Sequence, residues 1–316
     1  MIAADGVSKH FPMRGLWRPG AVRAVTEVSL AVGKGEAVGL VGESGSGKST
    51  LGRVMLGLLA PSAGRVVVDG VDLAGVDGAA RRGLRRRMQL VFQDPYSSLD
   101  PRRRVAAQVG DGLAIHRIGG VAERAGLVAA LLEQVGLPAS AASRYPHEFS
   151  GGQRQRLGIA RALATGPDLL VADEPVSALD VSVQAQVLAL LADLRTRLGL
   201  ALLFISHDLP VVRSLCDRVV VMYLGRVMEE GPVADVFRRP LHPYTQALLS
   251  AAPSLDPALR RTRVLLRGEP PSPAAPPSGC VFRTRCPVAV EDCAEGVPTL
   301  RRYGGQQVAC IRVGKG

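Results

Sequence analysis

The sequence predicts an α/β fold. Three observations point to it: apolar runs of strand length, a glycine-rich loop that follows one of these runs, and a central stretch with helical spacing. Short apolar runs of this kind suit buried strands, and their alternation with helical sequence is typical of an α/β core. The runs are Ala37–Val41, Gln89–Phe92, Leu169–Ala172, Ala201–Ile205 and Arg218–Met222.

The elements around the first apolar run can be assigned in order. Residues 22–32 alternate apolar and polar side chains, as a half-buried strand does. Residues 49–60 predict a short helix that ends before Pro61, because proline cannot continue a helix. Residues 65–69 predict an edge strand or hairpin, with the Asp69-Gly70 pair as its turn.

The rest of the chain changes character twice. Between residues 104 and 165 the apolar positions follow helical spacing, so we expect a helical subdomain at about residues 94–165. After about residue 236 the sequence becomes rich in Pro and Arg, and the stretch RGEPPSPAAPPSGC predicts a linker or a wrapped extended segment. We therefore expect a main domain at 1–235 and a C-terminal extension at 236–316.

Composition narrows the possible functions. The 316 residues carry a formal net charge of +11, which raises nucleic acid as a partner. The excess lies in residues 81–104 and 251–316, where solvated basic faces are the commoner interpretation and a docking surface the alternative. We expect no membrane span, since no apolar stretch approaches the roughly 18 residues that a span needs. The start MIAADGVSKHF predicts no secretion signal, so we expect a cytoplasmic location.

A phosphate-binding loop follows the first apolar run. The residues fit G-x-x-x-x-G-K-[ST] between a strand and a helix, the context in which this pattern binds nucleotide phosphates. Lys48 would reach the β and γ phosphates, Ser49 would ligate Mg²⁺, and Thr50 would support the same turn. A plain glycine turn is the alternative. The loop comprises Gly42, Glu43, Ser44, Gly45, Ser46, Gly47, Lys48 and Ser49.

Two adjacent carboxylates end a later apolar run. Asp173 and Glu174 follow four apolar residues, which places them at the carboxyl end of a strand, where open α/β sheets bind ligands. Asp173 would hold Mg²⁺, and Glu174 would orient and deprotonate an attacking water. Solvated acids at a strand tip are the alternative. Together with the loop, the pair predicts a nucleotide hydrolase.

Residues 149–156, FSGGQRQR, narrow this class. Here the chain resembles the ATP-binding cassette (ABC) family, whose signature is LSGGQ, with Phe149 in place of leucine. The resemblance implies a P-loop NTPase core with an antiparallel β subdomain, a helical signature subdomain and a cysteine-containing C-terminal extension. It also implies that the signature residues contact the γ-phosphate of ATP held by a partner subunit. These residues are Ser150, Gly151, Gly152 and Gln153.

Further positions resemble the family's remaining elements. Gln93 is similar to the loop glutamine that touches Mg²⁺ and water, and Asp180 to the loop that crosses the dimer. His207, in Ile-Ser-His-Asp, resembles the histidine that senses the γ-phosphate. Phe11 is our choice for the aromatic that stacks on adenine, with a core or surface aromatic as the alternative. The resemblance further implies that two such subunits sandwich two ATP molecules.

The tail suggests the transport system. Residues 239–249, RPLHPYTQALL, resemble the tail of oligopeptide and dipeptide importer ATPases, and the phosphate loop resembles the second of the two unlike ATPases in such importers. The resemblance implies two transmembrane permease subunits, a paralogous ATPase in a heterodimer, an extracytoplasmic solute-binding protein and a peripheral place on the cytoplasmic face of the inner membrane. Peptides are the expected cargo; nickel, glutathione, sugars and opines are alternatives. An exporter motor and an ATPase acting on DNA or ribosomes fit less well, so we expect no nucleic-acid partner.

Four cysteines lie beyond the Pro-rich stretch: Cys280, Cys286, Cys293 and Cys310, with five, six and sixteen residues between them. Disulfides are disfavoured in the cytoplasm, and four thiolates suit an iron–sulfur cluster or zinc. The missing C-x-x-C spacing disfavours ordinary zinc fingers. The importer resemblance implies a [4Fe–4S] cluster, with zinc and unligated thiols as the alternatives.

Overall fold

The structure is a computed structural model, and it describes residues 1–13, 20–94, 96, 98–251, 264–266 and 268–314. The chain forms two compact units. The first unit comprises Met1–Ala31, Ala37–Ala74 and Ile205–Gly316, and the second comprises Val32–Glu36 and Gly75–Phe204. The units therefore interleave along the chain, and the C-terminal extension falls in the first unit with the phosphate loop.

In the described part of the chain, the helices and strands follow one another with short 3₁₀ turns at Ala139–Ser143, Pro146–Glu148 and Glu291–Ala294. None of the described helices is long and apolar enough to cross a membrane. In chain order the elements are β1 (Ile2–Met13), β2 (Gly20–Val32), β3 (Ala37–Val41), α1 (Lys48–Met55), β4 (Ala63–Val68), β5 (Val71–Asp72), α2 (Gly78–Arg87), β6 (Met88–Val91), α3 (Val105–Ile115), α4 (Arg124–Gln134), α5 (Gly151–Leu163), β7 (Leu169–Asp173), α6 (Val181–Leu198), β8 (Ala201–Ile205), α7 (Leu209–Leu215), β9 (Arg218–Tyr223), β10 (Arg226–Pro232), α8 (Val233–Arg238), α9 (Pro243–Ala251), β11 (Arg301–Tyr303) and β12 (Gln306–Val308).

The first unit contains a four-stranded sheet in the order β2-β1-β4-β5. Strand β1 pairs antiparallel with β4, and β4 pairs antiparallel with β5. The turn between β4 and β5 has Asp69 at φ 47° and Gly70 at φ 85°, both in the left-handed region that a tight hairpin needs. The Asp-Gly turn predicted from the sequence is therefore present.

The same unit contains five more strands, in the order β11-β12-β10-β9-β3. Strand β3 is fully buried and runs parallel to β9, whereas β10, β12 and β11 follow in antiparallel pairs. Residues 268–279 form neither helix nor strand, and the Arg23 N–H donates to Pro273 O at 3.0 Å. The extension therefore adds two strands to the sheet that carries the phosphate loop, and its Pro-rich segment lies against β2.

The second unit contains the adjacent strands β8, β7 and β6, with β6 and β7 parallel. Strand β7 is buried throughout, as the apolar run Leu169–Ala172 predicts for its first four residues. The described residues between β6 and β7 form helices and 3₁₀ turns but no strand. The helical stretch thus lies between two neighbouring strands whose carboxyl ends share one edge.

Candidate functional site

The phosphate loop closes around a buried lysine in the first unit. Lys48 is only 4% exposed, and its Nζ donates to Gly42 O at 2.8 Å and to Glu43 O at 2.9 Å. A third donation reaches Ser46 Oγ at 3.4 Å. The ammonium is thus held by the loop's own carbonyls before the helix begins.

Two glycines are needed for this path. Gly42 has φ 150° and Gly47 has φ 100°, a range that side chains disfavour. A Cβ on Gly42 would lie 2.1 Å from Met222 O, and one on Gly47 would lie 2.1 Å from Ala24 O. Helix α1 starts directly after Gly47 and has no side-chain cap, so its N-terminal amides face the loop. Ser44 and Gly45 are exposed, and Ser49 and Thr50 are half-buried at the start of α1.

Two predicted residues meet at the carboxyl edge of the second unit's strands. Asp173 is the last residue of β7 and is buried, and Glu174 follows it with φ 46°. Gln93 lies just beyond β6, and its Nε2 donates to Glu174 Oε2 at 3.2 Å. The left-handed backbone at a non-glycine residue is strained, and such strain is concentrated at functional sites. The parallel pairing of β6 and β7 brings Gln93 and Glu174 together.

The signature segment forms the start of helix α5. Ser150 is the N-cap, and its Oγ accepts from the Gln153 N–H at 3.3 Å. Gln153 Oε1 accepts in return from the Ser150 N–H at 3.0 Å, which completes a capping box. The sequence pattern S-x-x-Q could have predicted this box. Phe149 is buried under the Arg144 guanidinium, 4.4 Å from the ring centroid, so the aromatic ring in place of leucine is accommodated by packing.

Glycines let α5 approach its neighbours closely. A Cβ on Gly152 would meet Val183 Cγ1 at 2.2 Å, and one on Gly151 would meet Leu179 Cδ2 at 3.2 Å. Asp180 caps α6: its carboxylate accepts from Ser182 Oγ at 2.7 Å and from the Val183 N–H at 2.9 Å. These hydrogen bonds lower the pKa of Asp180.

Two predicted residues are exposed. His207 lies in the first unit between β8 and the Asp208 that caps α7. Phe11 lies near the end of β1, is 36% exposed, and has Lys9 Nζ 5.2 Å from its ring centroid. Both side chains are therefore accessible to a ligand.

The four tail cysteines lie within electrostatic reach of one another, and none of them forms a disulfide. Burial, reinforced by the neighbouring thiols, raises the pKa of Cys280 to about 11. The Cys280 N–H donates to Cys293 O at 2.8 Å. Nevertheless, no group of three or more His, Cys, Asp or Glu side chains in the described ranges is arranged to hold a metal ion. The donor chemistry suits a cluster, but the arrangement adds no support for one.

Sequence reasoning missed two residues beside the phosphate loop. Tyr244 Oη accepts from the Glu43 N–H at 2.8 Å, and Arg285 Nη1 lies 2.7 Å from Glu43 Oε2. These partners are 201 and 242 residues away from Glu43, and no local pattern connects them.

Comparisons with known proteins agree with this geometry. Residues 25–177 match the family model described as ABC transporter, and residues 228–293 match that described as Oligopeptide/dipeptide transporter, C-terminal region. A putative peptide import ATP-binding protein of Brucella ovis is 55% identical over 99% of this chain and 98% of its own length. The oligopeptide transport ATP-binding protein AppF of Bacillus subtilis is 50% identical over 96% of this chain and 94% of its own.

Solved structures confirm the predicted fold class. The dimeric ATP-binding cassette MJ0796, in a post-hydrolysis state bound to ADP and Pi, has a TM-score of 0.66 and 30% identity. It covers 74% of this chain and 99% of its own. The cassette cbiO1 of Clostridium perfringens, part of an ABC transporter complex, has a TM-score of 0.65 and 28% identity over 75% and 90% of the two chains. The chain therefore belongs to the ABC transporter family as an ATP-hydrolysing subunit, with a C-terminal region of the oligopeptide/dipeptide transporter type.

Proposed function

We propose that the chain powers the uptake of oligopeptides or dipeptides across the cytoplasmic membrane. One observation carries the proposal: the region that matches the oligopeptide/dipeptide transporter tail, residues 228–293, begins within β10 of the phosphate-loop sheet. The 55% identical relative is named for peptide import. We also propose the division into a cassette at 1–235, with its helical subdomain at about 94–165, and an extension at 236–316.

The phosphate loop and its lysine are the proposed phosphate site. The backbone amides at the N-terminus of α1 favour negative charge, and the buried Lys48 ammonium adds a positive one. Ser49, Gln93 and Asp173 supply the hydroxyl, amide and carboxylate oxygens that Mg²⁺ prefers. When bound, Mg²⁺ neutralises charge on the phosphates.

Glu174 is the proposed general base. Its carboxylate stands at the end of a buried strand and is oriented by the donation from Gln93 Nε2. A carboxylate held in this way can accept a proton from a water molecule. We assign His207 to sensing of the γ-phosphate and Phe11 to the adenine ring.

The signature residues are proposed to act on ATP held by a second ATPase. The start of α5 is formed by Ser150, Gly151, Gly152 and Gln153, of which only Gly152 is buried. The N-terminus of a helix attracts phosphate. Asp180, at the start of α6, is proposed to lie at the dimer crossing. We propose an unlike, paralogous ATPase as this partner.

The remaining partners are also proposals. Two membrane permeases would receive the motion of the cassette, and an extracytoplasmic solute-binding protein would deliver the cargo. The subunit would then lie peripherally on the cytoplasmic face of the inner membrane. The named relatives supply the support, since they are named as a peptide import and an oligopeptide transport ATP-binding protein.

The cargo can be tested by uptake of labelled di- and oligopeptides in cells that lack the chain. Wild-type protein should restore uptake, whereas Lys48→Ala, expressed to the same level, should not. Restored uptake of nickel or glutathione but not of peptides would contradict the proposed cargo. If the chain is purified from cells and two hydrophobic permease subunits do not accompany it, the proposed transport assembly is contradicted.

The tail cysteines are proposed to bind a [4Fe–4S] cluster through four thiolates, with a structural role. The support is their number and the four-thiolate ligand set that such clusters use. Iron and acid-labile sulfide should be measured on full-length protein purified anaerobically, with a Cys286→Ser variant as comparison. A sample of wild-type protein without iron and sulfide would contradict the proposal, and stoichiometric zinc would replace it.

A further inference from the structure

The C-terminal extension contacts the phosphate loop at Glu43. Arg285 Nη1 donates to Glu43 Oε2 at 2.7 Å, with the two side chains 8% and 25% exposed. Tyr244, which is fully buried, accepts the Glu43 N–H at 2.8 Å. The backbone amide and the side-chain carboxylate of Glu43 are therefore both held by the extension.

An aromatic block holds these two partners in place. Tyr223, Tyr244 and Phe282 pack against one another with ring centroids 4.7 to 5.2 Å apart. Arg285 Nη1 also reaches Tyr223 Oη at 3.4 Å. Burial disfavours the charged guanidinium, but the hydrogen bonds to Glu43 and Tyr223 outweigh it and raise the pKa of Arg285. The positive charge is thus maintained beside the carboxylate.

The Glu43 carboxylate creates an electrostatic problem at this place. Its own carbonyl accepts from Lys48 Nζ at 2.9 Å, so a negative side chain belongs to the same residue that positions the phosphate-binding ammonium. A triphosphate is strongly anionic, and an unpaired, partly buried carboxylate nearby would repel it. Screening by salt is weaker for partly buried charges than for exposed ones.

We propose that Arg285 is a positioning residue for nucleotide binding that acts by neutralising Glu43 in the phosphate loop. The extension thereby sets the affinity of the cassette for ATP. Tyr244 fixes the Glu43 peptide unit, and Arg285 cancels its charge. The proposal rests on the proposed phosphate site, and Lys48→Ala tests that site separately.

The opposing possibility is a purely structural ion pair that anchors the extension. The two roles differ in sign. If the pair is only an anchor, removing either partner destabilises the fold, and the two single variants do not change the affinity for ATP in opposite directions. If Arg285 neutralises Glu43, then Arg285→Gln weakens ATP binding, whereas removal of both charges restores it.

The experiment measures the Kd for MgATP by calorimetry on the full-length chain, with circular dichroism to check folding. Arg285→Gln should raise the Kd about tenfold, Arg285→Lys should stay within about twofold of wild type, and Glu43→Gln should bind ATP at least as tightly as wild type. The Glu43→Gln/Arg285→Gln double variant should return to within about twofold. Arg283→Gln is the matched control, because Arg283 bonds to Ser278 within the extension.

An unchanged Kd in a folded Arg285→Gln variant would overturn the proposal. So would a double variant that binds as weakly as Arg285→Gln, since the loss would then come from displaced structure. If Arg285→Gln does not fold, the comparison of Glu43→Gln with the double variant decides: equal affinities support neutralisation, and a weaker double variant contradicts it. If wild-type protein binds ATP and Lys48→Ala does not, the phosphate site itself is correctly placed.

Discussion

Gln93 Nε2 donates a hydrogen bond to Glu174 Oε2 at 3.2 Å, across the carboxyl ends of the parallel strands β6 and β7. The pair joins a loop between β6 and the helical subdomain to the proposed catalytic carboxylate. Because Glu174 also adopts φ 46°, both its backbone and its side chain are held in one arrangement.

Glu174→Gln should abolish turnover but retain ATP. A glutamine keeps the size and can still contact Gln93, but it cannot accept a proton, and a general base contributes about 10²- to 10⁴-fold. We expect kcat to fall by at least about 100-fold with the Kd for ATP unchanged, measured by phosphate release from the assembled complex. Asp168→Asn is the control, since Asp168 immediately precedes β7 and pairs with Arg87. Normal hydrolysis by Glu174→Gln would refute its role as base.

Gln93→Glu should shift the pH dependence of hydrolysis. Two carboxylates at the observed 3.2 Å separation cannot both ionise easily, so the pKa of the pair's base rises. Because the base must be deprotonated, the acid limb of the kcat–pH profile should move upward by at least about one pH unit. Gln93→Ala provides the comparison without added charge, and its profile should show no such shift. Coincident profiles for wild type and Gln93→Glu would show that these groups do not act together.

Gly152→Ala should damage the signature helix, whereas Gly158→Ala on the same helix should not. The added methyl on residue 152 would lie 2.2 Å from Val183 Cγ1, while a Cβ on residue 158 meets nothing within 4 Å. Overpacking of this kind costs about 1–3 kcal/mol, and removing a helical glycine gains about 0.5–1 kcal/mol. The free energy of unfolding, measured with urea, and the ATPase activity of the complex should both fall for Gly152→Ala but not for Gly158→Ala. Equal stability of the two variants would contradict the close approach of α5 to α6.

His242 should make the stability of the protein depend on pH. The side chain is 1% exposed, and burial lowers its pKa from 6.5 to about 3, so it stays neutral when folded. Between pH 6.5 and about 3, the His242 side chain is protonated in the unfolded chain but not in the folded one. The free energy of unfolding therefore falls as the pH drops below about 6.5. From pH 6.5 to 5 this amounts to about 2 kcal/mol.

The measurement compares urea unfolding of wild type and His242→Asn at pH 7 and pH 5. The asparagine cannot protonate, so the variant should lose about 2 kcal/mol less over this range. Glu229, whose pKa is raised by burial, acts in the opposite sense and is present in both proteins. The difference between the two proteins therefore isolates His242, and parallel pH profiles would disprove its contribution.

Sequence alone predicted the contiguous parts of the candidate site. The patterns around Lys48, Asp173 and Ser150 can be recognised from neighbours a few residues away. The apolar run that precedes Asp173 predicted that this residue ends a strand. Strands β1, β10, β11 and β12 were not predicted. β11 and β12 have three residues each and carry polar side chains, so their place comes from pairing within the sheet and not from an apolar pattern.

The amino-acid sequence by itself determined the fold class and the family and predicted the phosphate loop, because each depends on local residue spacing. Only the tertiary structure decided that Gln93 bonds to Glu174, that residues 301–308 extend the sheet of the phosphate loop, and that Arg285 pairs with Glu43. Those contacts join residues 81 or 242 positions apart, or rest on strand pairing. Long-range contacts of this kind arise when burial and sheet pairing bring distant segments together, and no local pattern encodes them.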